Sequence, residues 1–144
     1  MWLLLAVSAS VLWGMTYVLN EQVFRHVSVP TTIAVHTFFI SIVASIVAWR
    51  QGVISADLNA IVSSRRVAWL FVLSGVIYVV AEFLINFSIS AKNATLAALV
   101  EISYPLFAVL FAYLAFGESQ LNAGTAIGGA FIAIGVCVVY WFSR

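Results

Sequence analysis

The sequence has 144 residues, 65% of them hydrophobic and only 8% charged, with a formal net charge of +1. A soluble domain of this length cannot hide so much apolar surface, and several apolar runs of about 18 residues or more mark a helical protein that crosses a membrane repeatedly. The chain lacks the short segments of alternating polarity of a transmembrane barrel and the basic patch of a nucleic-acid binder, and its single Cys137 offers neither an intrachain disulfide nor a cysteine metal cluster.

In chain order, five spans are expected, at about residues 2–19, 30–49, 67–89, 94–116 and 121–142, in a single transmembrane domain. The first begins Met1-Trp2-Leu3-Leu4-Leu5 without a basic stretch before it and stays apolar to Leu19, which fits a retained span better than a cleaved signal. A polar link, Asn20–Val29, carries Glu21, Arg25 and His26. Pro30 opens the second span, where a missing N–H costs little because first-turn amides have no intrahelical acceptor. The longest connection, Arg50–Arg66, is a surface loop in which Leu58–Val62 fits a short interfacial helix. The third and fourth spans form a hairpin around Ser90-Ala91-Lys92-Asn93, and the fifth follows Gly117-Glu118-Ser119-Gln120. Trp49, Trp69, Tyr140 and Trp141 fall near span ends, where amphipathic rings settle.

An odd number of spans puts the two termini on opposite sides. The N-terminal side, side A, then carries Arg50, Arg65 and Arg66, and side B carries Arg25, Lys92 and Arg144. Three against three leaves almost no positive-inside bias. One reading is a fixed orientation with a weak signal. The other is dual topology, with two copies assembled antiparallel to make the inverted repeat on which many transporters are built.

Each span of the hairpin holds one carboxylate: Glu82 is seven residues before Ile89, and Glu101 seven after Ala94. Both then lie about 10 Å from the same end. A carboxylate at that depth costs roughly 2.5–3.5 kcal/mol on insertion scales, so it should face protein or water. Trp13 and His36 reach a similar level on the first two spans. Tyr78, Glu82 and Asn86 form one i, i+4, i+8 stripe; Glu101, Tyr104 and Pro105 lie on another; Trp13, Gly14 and Tyr17 on a third. Converging, the stripes would enclose two carboxylates, an imidazole and several rings. Carboxylates brought close cannot both ionise easily, which suits them to carrying a proton or trading it for a cation. Rings beside them fit a cation too. The bland alternatives are a Glu–His36 pair that only packs helices, and rings that only fill space. Pro105 reads as a kink, and the Gly124-xxx-Gly128 pair as a face for close helix contact, within the chain or with a second copy. No phosphate loop, nucleophile elbow or metal-ligand spacing is present, so no enzyme, metal or cofactor is expected.

The sequence also resembles one repeat of the drug/metabolite transporter superfamily, of the EamA type. Leu12-Trp13-Gly14-Met15-Thr16-Tyr17 is similar to that repeat's opening Trp-Gly-x-Ser/Thr-aromatic pattern, and Pro30–His36 to the start of its second span. Asn93–Leu99, Tyr104-Pro105-Leu106-Phe107 and Phe116-Gly117-Glu118 are similar to its fourth span, and Gly128–Val136 to its fifth. The resemblance implies an all-α, five-span inverted-repeat unit that moves small metabolites between two such halves. The family often has an arginine where His36 stands, and Glu82 and Glu101 match no general family feature, which tilts the site toward acidic. The expectation is a multi-pass protein of the cell (inner or plasma) membrane, proton-coupled and homodimeric or paired with a similar chain. Its substrate and proton residues would be Glu82, Glu101, His36, Trp13, Tyr17, Tyr78, Tyr104 and Asn86. The alternatives are a facilitator or flippase for a neutral or lipid-linked substrate, and a non-transporting membrane scaffold.

Overall fold

The computed structural model describes residues 1–119 and 121–143; Gln120 of the last link and Arg144 of side B lie outside the described residues. Seven helices follow in order: α1 (Trp2–Val23), α2 (Val29–Gln51), α3 (Ile54–Ser63), α4 (Arg65–Ala91), α5 (Ala94–Glu101), α6 (Tyr104–Phe116) and α7 (Ala123–Phe142). Among the described residues there is no strand. Five segments are long and apolar enough to cross a membrane: α1, α2, α4, α7, and Ala94–Phe116, which joins α5 to α6. The protein is therefore an all-α, multi-pass membrane protein.

The ends of these helices follow from local chemistry. Ser28 precedes α2 in an extended conformation, with Pro30 in the first turn. Gly52 closes α2 at φ 68°, giving its N–H to the Ala48 and Trp49 carbonyls, and Gly117 closes α6 in the same way at φ 70°; both positions need the left-handed backbone that glycine adopts without a Cβ penalty. A capping box opens α7: Asn122 Oδ1 accepts the Thr125 N–H at 2.9 Å, and Thr125 Oγ1 accepts the Asn122 N–H at 2.8 Å.

Two helices outrun their apolar stretches. α1 continues past Leu19 through Asn20, Glu21 and Gln22, because hydropathy marks the thickness of lipid whereas helical hydrogen bonding continues as far as backbone and side chains allow. α4 has 27 residues, about 40 Å against ~30 Å of hydrocarbon, so its ends reach the headgroup layer. The Arg50–Arg66 connection is mostly helical: α3 is ten residues long and follows α2 after only Gly52 and Val53.

The chain divides into two compact units, Met1–Glu21 with Ser88–Arg144, and Gln22–Phe87. In the first, α5 packs against α7, Ile89, Ala94 and Ala97 are buried, and Lys92 Nζ donates to the Ser143 carbonyl at 3.2 Å. A Cβ on Gly129 of α7 would lie 2.9 Å from Leu106 Cδ2 of α6, whereas one on Gly128 would meet nothing within 4 Å and one on Gly124 only its own cap residue Asn122. The tight intrachain glycine is thus Gly129. Gly129→Leu is expected to lower the unfolding midpoint in detergent, by about 1–3 kcal/mol for overpacking, and Gly128→Leu to leave the isolated chain unchanged. In the second unit Val29 and Thr32 are buried near the start of α2, and Thr32 Oγ1 donates back to the Ser28 carbonyl at 3.1 Å. Elsewhere most of the large apolar side chains of the five spans are exposed, as expected of helices whose solvent is lipid.

Candidate functional site in the membrane spans

The clearest constellation lies at a tightened turn in the fourth span. α5 begins with two side-chain caps. Asn93 Oδ1 accepts the Leu96 N–H at 2.8 Å, and Glu21 Oε2, from the end of α1, accepts the Ala94 N–H at 2.7 Å. These satisfy two of the amides that a helix start leaves without intrahelical acceptors, and the Glu21 charge sits where the helix dipole favours an anion. Eight residues on, α5 ends at Glu101. Pro105 enforces that ending: it has no N–H to give the Glu101 carbonyl four residues earlier, and its ring crowds that carbonyl. The chain bridges the gap with tighter turns, Ser103 N–H to the Val100 carbonyl at 3.2 Å and Leu106 N–H to the Ser103 carbonyl at 3.0 Å. The tightened turn, Ile102-Ser103, keeps right-handed helical backbone angles and lies before Pro105 and immediately after Glu101.

The Glu101 side chain is half-buried and accepts a hydrogen bond from the Tyr17 hydroxyl, with Tyr17 Oη 2.6 Å from Glu101 Oε2. That separation is in the range of charge-assisted O–H···O contacts to a carboxylate. Tyr17 is buried, and its ring lies 5.7 Å from that of Trp13, tilted by 53°. Gly14, between them on α1, has open space where a Cβ would stand. Trp13, Gly14, Tyr17 and Glu101 are thus together in one unit: a carboxylate held by a phenol, with an aromatic face alongside. Tyr104, just beyond the tightened turn, is exposed.

In the other unit, α4 carries the second carboxylate. Asn86 is buried, and its Nδ2 donates both to the Glu82 carbonyl and to Glu82 Oε1, each at 2.9 Å. Glu82 is half-buried and Tyr78, one turn earlier, is exposed. His36 on α2 is exposed and, among the described residues, makes no hydrogen bond or ion pair. Among the described residues no three His, Cys, Asp or Glu side chains are grouped as metal ligands.

Sequence reasoning left Glu21 out. It stood in a polar link, and nothing local to Glu21 says that its carboxylate reaches an amide 73 residues away. Asn93 was the available signal, since an Asn directly before an apolar helical run is a standard N-cap.

Apolar spans, an intramembrane carboxylate with a hydroxyl partner and a proline-tightened turn beside it define a class: a polytopic membrane protein with a polar site among its spans. The chain belongs to the EamA-like transporter family, whose profile matches residues 1–141. It carries a five-span unit of the drug/metabolite transporter type and is a membrane transporter. No curated protein and no solved structure matches the chain.

Proposed function

We propose that the protein is a proton-coupled secondary transporter of small metabolites or cationic compounds, in which Glu101 carries the exchangeable proton. The observation behind this reading is the 2.6 Å contact from the Tyr17 hydroxyl to Glu101, placed at the tightened turn of a membrane span. Irregular turns of membrane helices are where many transporters bind substrate and coupling ion. The phenol holds the carboxylate in one position when it is ionised, and the Trp13 face gives an organic cation a surface to lie on. Glu82, fixed by Asn86, is the second carboxylate available for proton exchange, and His36 is a titratable group that can tune it. Tyr104, just beyond that turn, and Tyr78, one turn from Glu82, are the rings each unit offers to a substrate.

The working unit in this proposal is a homodimer with its two copies antiparallel in the cell membrane, rocking against one another to open each side in turn. The balanced loop arginines and lysine support it. The test of coupling is a proteoliposome assay with a pH-sensitive dye inside, driven by organic amines and, separately, by neutral metabolites. Amine-driven proton movement that disappears in Glu101→Gln is the expected result. Movement unaffected by Glu101→Gln and Glu82→Gln together would overturn proton coupling, and transport without any proton movement would favour a facilitator. For the assembly, a reporter after residue 144 should be found on both sides of the membrane in comparable amounts. A signal on one side alone would exclude the antiparallel homodimer and leave a parallel dimer, a monomer or a fixed partner.

A further inference from the structure

We infer that α3, with the arginines at its two ends, is an in-plane membrane anchor that binds anionic phospholipid headgroups on side A. The inference rests on α3 and its flanks and is independent of the transport reading. The first observation is the face of α3. At 100° per residue, Ile54, Leu58, Ile61 and Val62 fall within one arc about 100° wide, with Asp57 and Ser55 at its two edges and Asn59 and Ser63 on the far half of the helix. No residue of α3 is buried in the protein, and Leu58 and Val62 are 56% and 83% exposed. Of the arc, Ile61 alone is half-covered by the chain, and Ile54, Leu58 and Val62 are exposed.

The second observation is where α3 is tied. Gly52-Val53 joins it to the end of α2 and Ser64 alone joins it to the start of α4. Both neighbours are long and apolar enough to span the membrane, and ten residues of helix are too short to cross it, so α2 ends and α4 begins on the same side. Links that short hold a ten-residue helix within the interfacial layer. An apolar arc placed there lies against acyl chains, with its polar side in the headgroups.

The third observation is charge. Arg50 is in the last turn of α2, and Arg65 and Arg66 open α4, so three guanidinium groups flank α3 against one carboxylate, Asp57, within it. Among the described residues these arginines make no hydrogen bond or ion pair, and Arg65 and Arg66 lie at the N-terminal end of α4, where no helix carbonyls call for a cation. On side B, Lys92 is bonded to the Ser143 carbonyl. Charge left over on side A matches phosphate, which guanidinium recognises through two parallel N–H bonds. An amphipathic helix plus a basic cluster supplies the two signals that interfacial lipid binding requires.

The test uses the full chain with Cys137→Ser and Val62→Cys, the new thiol carrying an environment-sensitive fluorophore. Purified protein in nonionic detergent is titrated with short-chain phosphatidylglycerol, phosphatidylcholine or inorganic phosphate. Phosphatidylglycerol is expected to shift the emission saturably to the blue, while the other two leave it unchanged. Each of Arg50→Gln, Arg65→Gln and Arg66→Gln should raise the midpoint roughly fivefold, and the triple variant by on the order of a hundredfold. The unfolding midpoint of each variant without added lipid serves as the folding control. Equal responses to phosphatidylcholine, or a midpoint indifferent to the three arginines in folded protein, would overturn the proposal. So would an equal response to inorganic phosphate, since the cluster would then bind an anion and not a lipid. A label that stays in water in phosphatidylglycerol nanodiscs but is shielded in intact cells would overturn it too, by showing that a protein covers α3.

Discussion

Substrate-driven proton movement in Glu101→Gln proteoliposomes is expected to fall to the background of protein-free vesicles. Glutamine keeps the size of the side chain and still offers an oxygen to the Tyr17 hydroxyl, which donates to Glu101 Oε2 at 2.6 Å. What it removes is the exchangeable proton and the charge. The variant therefore separates proton carriage from packing, and its unfolding midpoint should match the parent. Tyr17→Phe makes the complementary cut: the carboxylate stays and the hydroxyl goes. Hydrogen bonds to charged groups contribute about 1.5–3 kcal/mol, so transport should drop by roughly tenfold or more while proton coupling persists. Trp13 lies against Tyr17, and Trp13→Ala is expected to weaken the apparent affinity for organic cations without abolishing proton movement. Measuring initial rates at several substrate concentrations distinguishes the three outcomes. A Glu101→Gln protein that is folded and still moves protons with substrate would remove Glu101 from the mechanism.

The second large effect is on stability, at Glu21. Its Oε2 accepts the Ala94 N–H at 2.7 Å, and Ala94 is buried. Glu21→Ala leaves that amide without the acceptor, and an unsatisfied buried donor costs about 1–3 kcal/mol. It also removes a negative charge from the N-terminus of α5, a contribution of roughly 0.3–1 kcal/mol. Glu21→Gln retains an acceptor and loses only the charge. Unfolding of the purified protein by titration with a denaturing detergent should therefore show a loss of about 2–3 kcal/mol for alanine and less than half of that for glutamine. Asn93→Ala removes the neighbouring cap on Leu96 and should cost about 1 kcal/mol. Equal losses for Glu21→Ala and Glu21→Gln would mean that charge dominates over the hydrogen bond. No loss in either would mean that the carboxylate does not hold α5 in the membrane. Because α5 ends at Glu101, a frayed α5 should also move that carboxylate, so Glu21→Ala is expected to slow transport where Glu21→Gln largely spares it.

Much of the fold was legible because a bilayer imposes a length on apolar helices. Five runs of apolar residues became five membrane segments, within a few residues at each end. The errors at those ends have a physical cause: α1 runs on to Val23 and α4 runs from Arg65 to Ala91, since a helix does not stop where lipid stops. The stripe Glu82–Asn86 was readable from i, i+4 spacing, and the hydrogen bonds of Asn86 run along it. Rise per residue put Trp13 at the level of Glu101, but the side chain that reaches the carboxylate is Tyr17, one turn further along α1.

By itself, then, the sequence determined the class of protein, the number of spans, and the prolines that open the second span and disturb the fourth. Each of these depends on interactions within a few residues or on the lipid, which is the same everywhere along a span. Only the tertiary structure decided that Tyr17 is the partner of Glu101, that Glu21 caps α5, and that Gly129, not Gly124 or Gly128, is the glycine pressed against a neighbouring helix. Those contacts join residues far apart in the chain, and they depend on how each helix is turned about its axis. Helices apolar on nearly every side carry little periodic signal to fix that rotation, so packing, and not pattern, sets it.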